Sequence, residues 1–167
     1  MARFALVVTI LVTLAANALA DKGKIEIGVL ASLSGNWSEI CQNFQNGIIL
    51  AGEEINSSGG VRGKEIVFNF QDTDQEKSGA KVVTAYRHLR AAGVRYFIGP
   101  SGVPGILALT PVAGRDDIVL IQPTATGSYQ QASENFFNAG GDNAVTTAAI
   151  AKRAHASGLR NIAVFGS

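Results

Sequence analysis

The sequence predicts an α/β protein built on a doubly wound parallel sheet, and three observations carry that prediction. Short apolar stretches alternate with segments of helical periodicity, Gly or Ser-Gly clusters punctuate the alternation, and successive apolar stretches are separated by enough chain for a crossover helix. A parallel pair needs such a crossover, because the chain must return to the same end of the sheet. Right-handed crossovers then place helices on both faces.

The first strand covers residues 25–31, nearly continuously apolar as a strand buried on both faces should be. In residues 41–56, Phe44, Ile48, Ala51, Gly52 and Ile55 recur at helical spacing, and Ser57-Ser58-Gly59-Gly60 stops the helix. A second strand is expected over 65–71. The next helix spans 75–92, with Val82, Tyr86 and Leu89 on one face and Gly93 at its end. A short third strand covers 95–99, a helix runs over 103–115 despite Pro111, and a fourth strand, 118–122, ends at Pro123. Phe136-Phe137-Asn138 reads as a fifth strand, 143–157 as an Ala-rich helix and 161–165 as a last strand. A terminal strand with no helix after it leaves an apolar face uncovered, so the sequence reads as part of a larger fold.

The N-terminus stands apart from this pattern. Arg3 precedes an apolar run from Phe4 to Leu14, and Ala18-Leu19-Ala20 places small residues at cleavage spacing, which marks 1–20 as a secretory signal peptide. A membrane anchor would need a longer apolar run, whereas Asn17, Asp21, Lys22 and Lys24 follow too soon. The expected location is the periplasm. A net charge of +1 without a Lys/Arg cluster in the sequence argues against nucleic acid as a partner. The single cysteine, Cys41, excludes an internal disulfide and reads as a half-buried residue at a helix start.

In an open parallel sheet a ligand sits beyond the carboxyl ends of the strands. Four loops therefore qualify: 32–37, 72–74, 100–105 and 122–126. In the third, the backbone amides of Ser101, Gly102 and Val103 run into a helix and suit a carboxylate. The spacing of Gly99, Gly102 and Gly105 fits neither a dinucleotide fingerprint nor a phosphate loop. Thr124, Ala125 and Thr126 offer hydroxyls and amides for a carboxylate and an ammonium, or a turn whose threonines satisfy their own backbone. Trp37 either packs on a ligand's apolar part or pins its own loop. Asp72 and Asp74 precede a helix and read as caps or as solvated rim residues. His88 and His155 fall inside helices, away from the strand ends, so neither a nucleophile–base pair nor a zinc set is expected. No catalytic residue, metal or cofactor is expected.

At this point the sequence resembles the type I periplasmic binding proteins of ABC importers for branched-chain amino acids and related solutes. The resemblance rests on Ile27-Gly28-Val29 with Leu33-Ser34-Gly35, on Asn46-Gly47, and on Glu53-Glu54-Ile55-Asn56 running into Gly59-Gly60-Val61-Arg62-Gly63. It continues through Asp72 and Asp74, Phe97-Ile98-Gly99-Pro100-Ser101, Pro111-Val112 and Ile121-Gln122-Pro123-Thr124-Ala125-Thr126.

The resemblance implies two αβ lobes that close on a small-molecule solute, acting as a monomer that docks transiently on an ABC permease in the inner membrane. Residues 21–139 would form lobe I and 140–167 the start of lobe II. The backbone around Gly102 and Val103 and the segment 124–126 would hold the α-carboxylate and α-ammonium. Val103 stands where amino-acid binders usually place a serine, Ile40 where Tyr is frequent and Cys41 where Gly is, so amides, aromatic acids or urea-like solutes also fit. A ligand-sensing ectodomain or regulator on the same fold is the competing reading.

Overall fold

The structure is a computed structural model that describes residues 23–35, 37–74, 79–124 and 134–163. Five strands, β1 (Lys24–Ala31), β2 (Glu65–Asp72), β3 (Tyr96–Ile98), β4 (Val119–Gln122) and β5 (Phe136–Asn138), form one sheet in the order β2-β1-β3-β4-β5. Every neighbouring pair is parallel, as the crossover lengths require. The helices are α1 (Ser38–Ser57), α2 (Ala80–Ala91), α3 (Val103–Arg115) and α4 (Asn143–Ala156). Among the described residues no helix is long and apolar enough to cross a membrane.

Register divides the side chains between two faces. Gly28, Phe97, Leu120 and Phe136 are successive partners across β1, β3, β4 and β5, so they share one face. There Leu30, Phe97, Leu120 and Phe136 pack against Val82, Tyr86 and Leu89 of α2 and Ile106, Leu109 and Ala113 of α3, forming the main core. Gly28 permits that contact, since a Cβ there would come within 2.7 Å of Leu89. Pro111 does not interrupt α3, which runs over the residues its periodicity indicates.

On the other face, Val29 and Ala31 pack with Cys41 and Ile48 of α1, and Phe44, Phe68 and Ile98 close around them. A Cβ on Gly52 would collide with the Phe68 ring, so that glycine lets α1 lie close on β2. Ala51 and Ile55, which share the sequence's helical stripe, are exposed instead, because α1 covers only the β1–β2 side. An apolar groove of about 360 Å³ runs between α1 and the sheet, lined by Ile27, Phe44, Ile55 and Phe68 among others. Farther along this face Tyr96, Ile121 and Phe137 are exposed on β3, β4 and β5.

The turn from α1 to β2 is held by side-chain mimicry of a strand. Asn56 donates through Nδ2 to the Ile66 carbonyl and accepts through Oδ1 from the Ile66 amide, both at 2.8 Å. Because β2 is the sheet's edge, Asn56 pairs backbone groups that would otherwise face out. Gly60, at φ +74°, turns the chain where a Cβ would strike the Lys64 carbonyl.

One expectation ends differently. Residues 161–163 are not a strand, and the rest of the expected 161–165 strand lies outside the described residues. Helix α4 forms as its periodicity indicates, yet none of its residues is buried.

Candidate functional site

The strand order reverses between β1 and β3: from β1 the chain crosses to β2 on one side, then returns to β3 on the other. The loops leaving β1 and β3 therefore diverge and open a crevice at the carboxyl ends of the strands.

The first wall is the loop after β1. Asp72, at the end of β2, accepts from the amides of Leu33 (2.9 Å) and Ser34 (3.3 Å) and from the Ser34 hydroxyl (2.6 Å). It also accepts from the amide of Asp74 at 3.2 Å. Partial burial alone would raise the carboxyl's pKa, but the Ser34 hydroxyl and the three amides together hold it below its ordinary value. Asp72 thus braces the loop across from it rather than capping a helix; Gly79 is the N-cap of α2, with no side-chain cap. Asp74 instead forms an ion pair with Lys81 at 2.9 Å, on the rim.

The second wall is the loop after β3. Gly99, at φ +99°, brings the chain so close to β1 that a Cβ would collide with the Leu30 carbonyl, and its amide bonds the Ile121 carbonyl at 2.8 Å. This fixes Ser101 and Gly102 at the mouth of the crevice. Gly102 is the extended N-cap of α3, with no side-chain cap and no acidic residue in the first turn. Such an end presents backbone N–H groups and a positive dipole to an anion. The Ser101 hydroxyl lies 3.6 Å from the Cys41 thiol, which is buried in the first turn of α1. Cys41 is more deeply buried than its position in the sequence suggests, and it links the two walls.

The third element is the end of β4. Thr124 donates its hydroxyl to the Ser101 carbonyl at 3.0 Å and accepts from the amide nitrogen of fully buried Gln122. The Thr124 proton is committed to a neighbouring loop, leaving oxygen as the acceptor it can still offer. The hydroxyl thus donates across to the loop after β3 rather than to its own turn. Ala125 and Thr126 lie outside the described residues.

Around these polar groups stand exposed apolar side chains. Trp37, the N-cap of α1, is 53% exposed, and Ile40 and Val103 are also open to solvent. The Trp37 carbonyl accepts from the Cys41 amide at 3.0 Å, so the indole sits one turn before the thiol that meets Ser101. Ser101 and Thr124 are thus joined by a hydrogen bond, Gly102 and Val103 follow at the start of α3, and Trp37 begins the helix whose Cys41 meets Ser101. Gln122, Ser34 and Asp72 emerge as the residues that position them. A polar residue closing the apolar strand Val-Leu-Ile-Gln was the available signal for Gln122. Among the described residues no group of three or more His, Cys, Asp or Glu side chains is placed to hold a metal.

A reversal of strand order flanked by a helix start, hydroxyls and open apolar side chains is the place where open α/β sheets generally take a small molecule. The family model for periplasmic binding proteins matches residues 24–167. The chain belongs to this family, the type I periplasmic binding proteins.

Among its relatives is a Leu/Ile/Val-binding protein, BraC3, of Rhizobium johnstonii, 30% identical over 122 residues that cover 72% of this chain and 32% of the relative. Among solved structures, the isoleucine complex of LivJ from Streptococcus pneumoniae is 26% identical, with a TM-score of 0.66, over 72% of this chain and 34% of that one. A Rhodopseudomonas palustris solute-binding protein in complex with p-hydroxybenzoic acid shares the fold, with a TM-score of 0.72 at 21% identity, over 81% of this chain and 37% of the other. The chain thus spans about a third of the length of these relatives. The names of these relatives describe binders of small solutes.

Proposed function

We propose that this chain supplies the first lobe of an exported ABC-importer component that binds a small carboxylate-bearing solute by closure of two lobes. The observation that carries the reading is the N-terminus of α3 lying beside Ser101 and Thr124, at the point where strand order reverses. A ligand carboxylate would be held by the amides around Gly102 and Val103. Trp37 and Val103 would contact its apolar part, and Thr124, Ala125 and Thr126 would receive an ammonium or hydroxyl.

Binding would proceed without chemistry, the solute favouring the closed arrangement over the open one. Residues 1–20 would be removed on export to the periplasm, 21–139 would form lobe I, and 140–167 would begin lobe II. The lack of any buried residue in α4 supports that division, since a helix with no core contacts in lobe I is free to belong to another unit. The uncovered side chains of Tyr96, Ile121 and Phe137 support it too. The closed monomer would dock on a membrane permease.

Replacement of a serine by Val103, together with the exposed indole, favours solutes with an apolar or aromatic body over small polar ones. Calorimetric titration of the full-length protein with isoleucine, p-hydroxybenzoate and their amides tests this. Binding of either acid, with loss of binding for its amide, is expected. Equal binding of acid and amide would remove the carboxylate anchor, and no binding of any carboxylate at millimolar concentration would overturn the reading.

A further inference from the structure

At the carboxyl end of β4 a glutamine occupies the buried face of the sheet. Gln122 lies two residues beyond Leu120, on the same side of the strand, and both are fully buried. Leu120 belongs to the main core, whereas Gln122 carries an amide, and an amide taken out of water must be hydrogen-bonded or it destabilises the fold. Its backbone is pinned to the end of β5, since the Ala139 amide bonds the Gln122 carbonyl at 2.8 Å.

The buried amide settles the hydroxyl of Thr124. Gln122 donates through Nε2 to Thr124 Oγ1, and Thr124 Oγ1 donates to the Ser101 carbonyl at 3.0 Å. The sense of both bonds is forced. A carbonyl can only accept, so the single hydroxyl proton lies on Ser101, and the bond to Gln122 must then run from nitrogen to oxygen. A hydroxyl has one proton and two lone pairs, so the proton and one lone pair are engaged inside the protein. The direction that remains, on half-buried Thr124, is a lone pair. Turning the hydroxyl to offer its proton outward would strip the Ser101 carbonyl and swing the oxygen away from a fully buried N–H. Ser101 cannot easily follow, because its own hydroxyl lies 3.6 Å from the buried Cys41 thiol. Ser101 directly precedes Gly102, the N-cap of α3, so the Thr124 lone pair lies beside the place taken for a carboxylate.

We propose that Gln122 sets a donor requirement on the solute. Acting through Thr124, it makes this corner of the crevice accept and not donate. The solute must therefore bring an N–H or O–H next to its carboxylate, and a carbonyl in that position is turned away by lone-pair repulsion. Gln122 is a positioning residue that selects α-amino and α-hydroxy acids over α-keto acids of the same carbon skeleton. The inference rests on the start of α3 being the carboxylate site.

Calorimetric titration of the full-length protein with two matched series tests it: isoleucine with its α-hydroxy and α-keto analogues, and phenylglycine with mandelate and phenylglyoxylate. Each series keeps the carboxylate and the apolar body and changes one group. The amino or hydroxy member should bind the parent at least about tenfold more tightly than the keto member. Gln122→Met keeps the volume, loses the donor and frees the hydroxyl to turn, so it should cut that preference about fivefold. Thr124→Val should cut it at least as far, and the double variant should lose no more than Thr124→Val alone. A side chain that only filled space would lower the affinities together and leave their ratio unchanged. Melting curves verify that the variants fold, and the parent's own ratio needs no variant. Equal binding of hydroxy and keto members by the parent, an unchanged ratio in Gln122→Met, or losses that multiply in the double variant would overturn the proposal. So would binding of p-hydroxybenzoate with no member of either series bound, which would leave the carboxylate site standing without a donor beside it. Failure of every carboxylate to bind at millimolar concentration would overturn the carboxylate site itself, and this inference with it.

Discussion

Replacing Asn56 with Ala removes both hydrogen bonds to Ile66 at the sheet's edge. Each bond is worth about 1 kcal/mol net, and the partly buried Ile66 amide and carbonyl must then find water, so the loss should be about 2–3 kcal/mol. For a domain of this size that is a fall in Tm of about 6–9 °C at roughly 3 °C per kcal/mol. Asn56→Asp should be at least as damaging. A carboxylate still accepts from the Ile66 amide but has nothing to donate to the carbonyl, and it places negative charge against that oxygen. Thermal and urea denaturation followed by far-UV circular dichroism measures both variants, and an unchanged m-value would show that the unfolded state is not altered. If Asn56→Ala melts within a degree of the parent, water replaces the side chain at no cost and the clamp is not what holds β2 on α1.

Two further outcomes follow from ionisable groups. The depressed pKa of Asp72 means that its stabilisation is complete above the unfolded value of 3.8 and is lost as pH falls through the lower folded value. Acid unfolding of the parent should therefore be steeper than that of Asp72→Ala as pH falls from 3.8 to the folded value, and identical slopes would show that the loop brace contributes nothing. Tyr86 donates to Asp116 at 2.6 Å, and burial, then the Asp116 carboxylate, push its phenol up to about 12. The phenol's contribution is full below the unfolded value of 10.0 and is lost as pH rises towards 12. Ultraviolet titration should find one tyrosine ionising late, and Tyr86→Phe should both remove that step and cost about 1–2 kcal/mol, since the ring still packs on Phe97.

Much of this architecture was legible in the residues. Val103–Arg115 forms the helix its periodicity indicates despite Pro111, and Phe136–Asn138 pairs on β4 as its apolar pattern suggests. The strand-end loops were legible because a parallel sheet dictates which loops face the crevice. The partners of the loop residues were not. Asp72 reaches back 39 residues to the Leu33 amide, and Thr124 bonds a carbonyl 23 residues earlier. Local capping rules see only neighbours in sequence, so Asp72 read as a cap or a solvated rim residue. Likewise the exposure of Ala51 and Ile55 depends on how far α1 extends over the sheet, which periodicity alone does not report.

The clamp at Asn56 also bears on how kinship is recognised. The stretch from Glu53 to Gly63 is the most distinctive part of the family resemblance, yet its asparagine completes a sheet edge and its Gly60 relieves a steric clash with Lys64. None of that depends on the occupant of the crevice. What this segment does is hold the fold together, so sharing it speaks of a common frame and not of a common occupant. A relative that keeps Asn56 and its glycines but differs at Trp37, Val103 and Thr124 should be expected to carry something else.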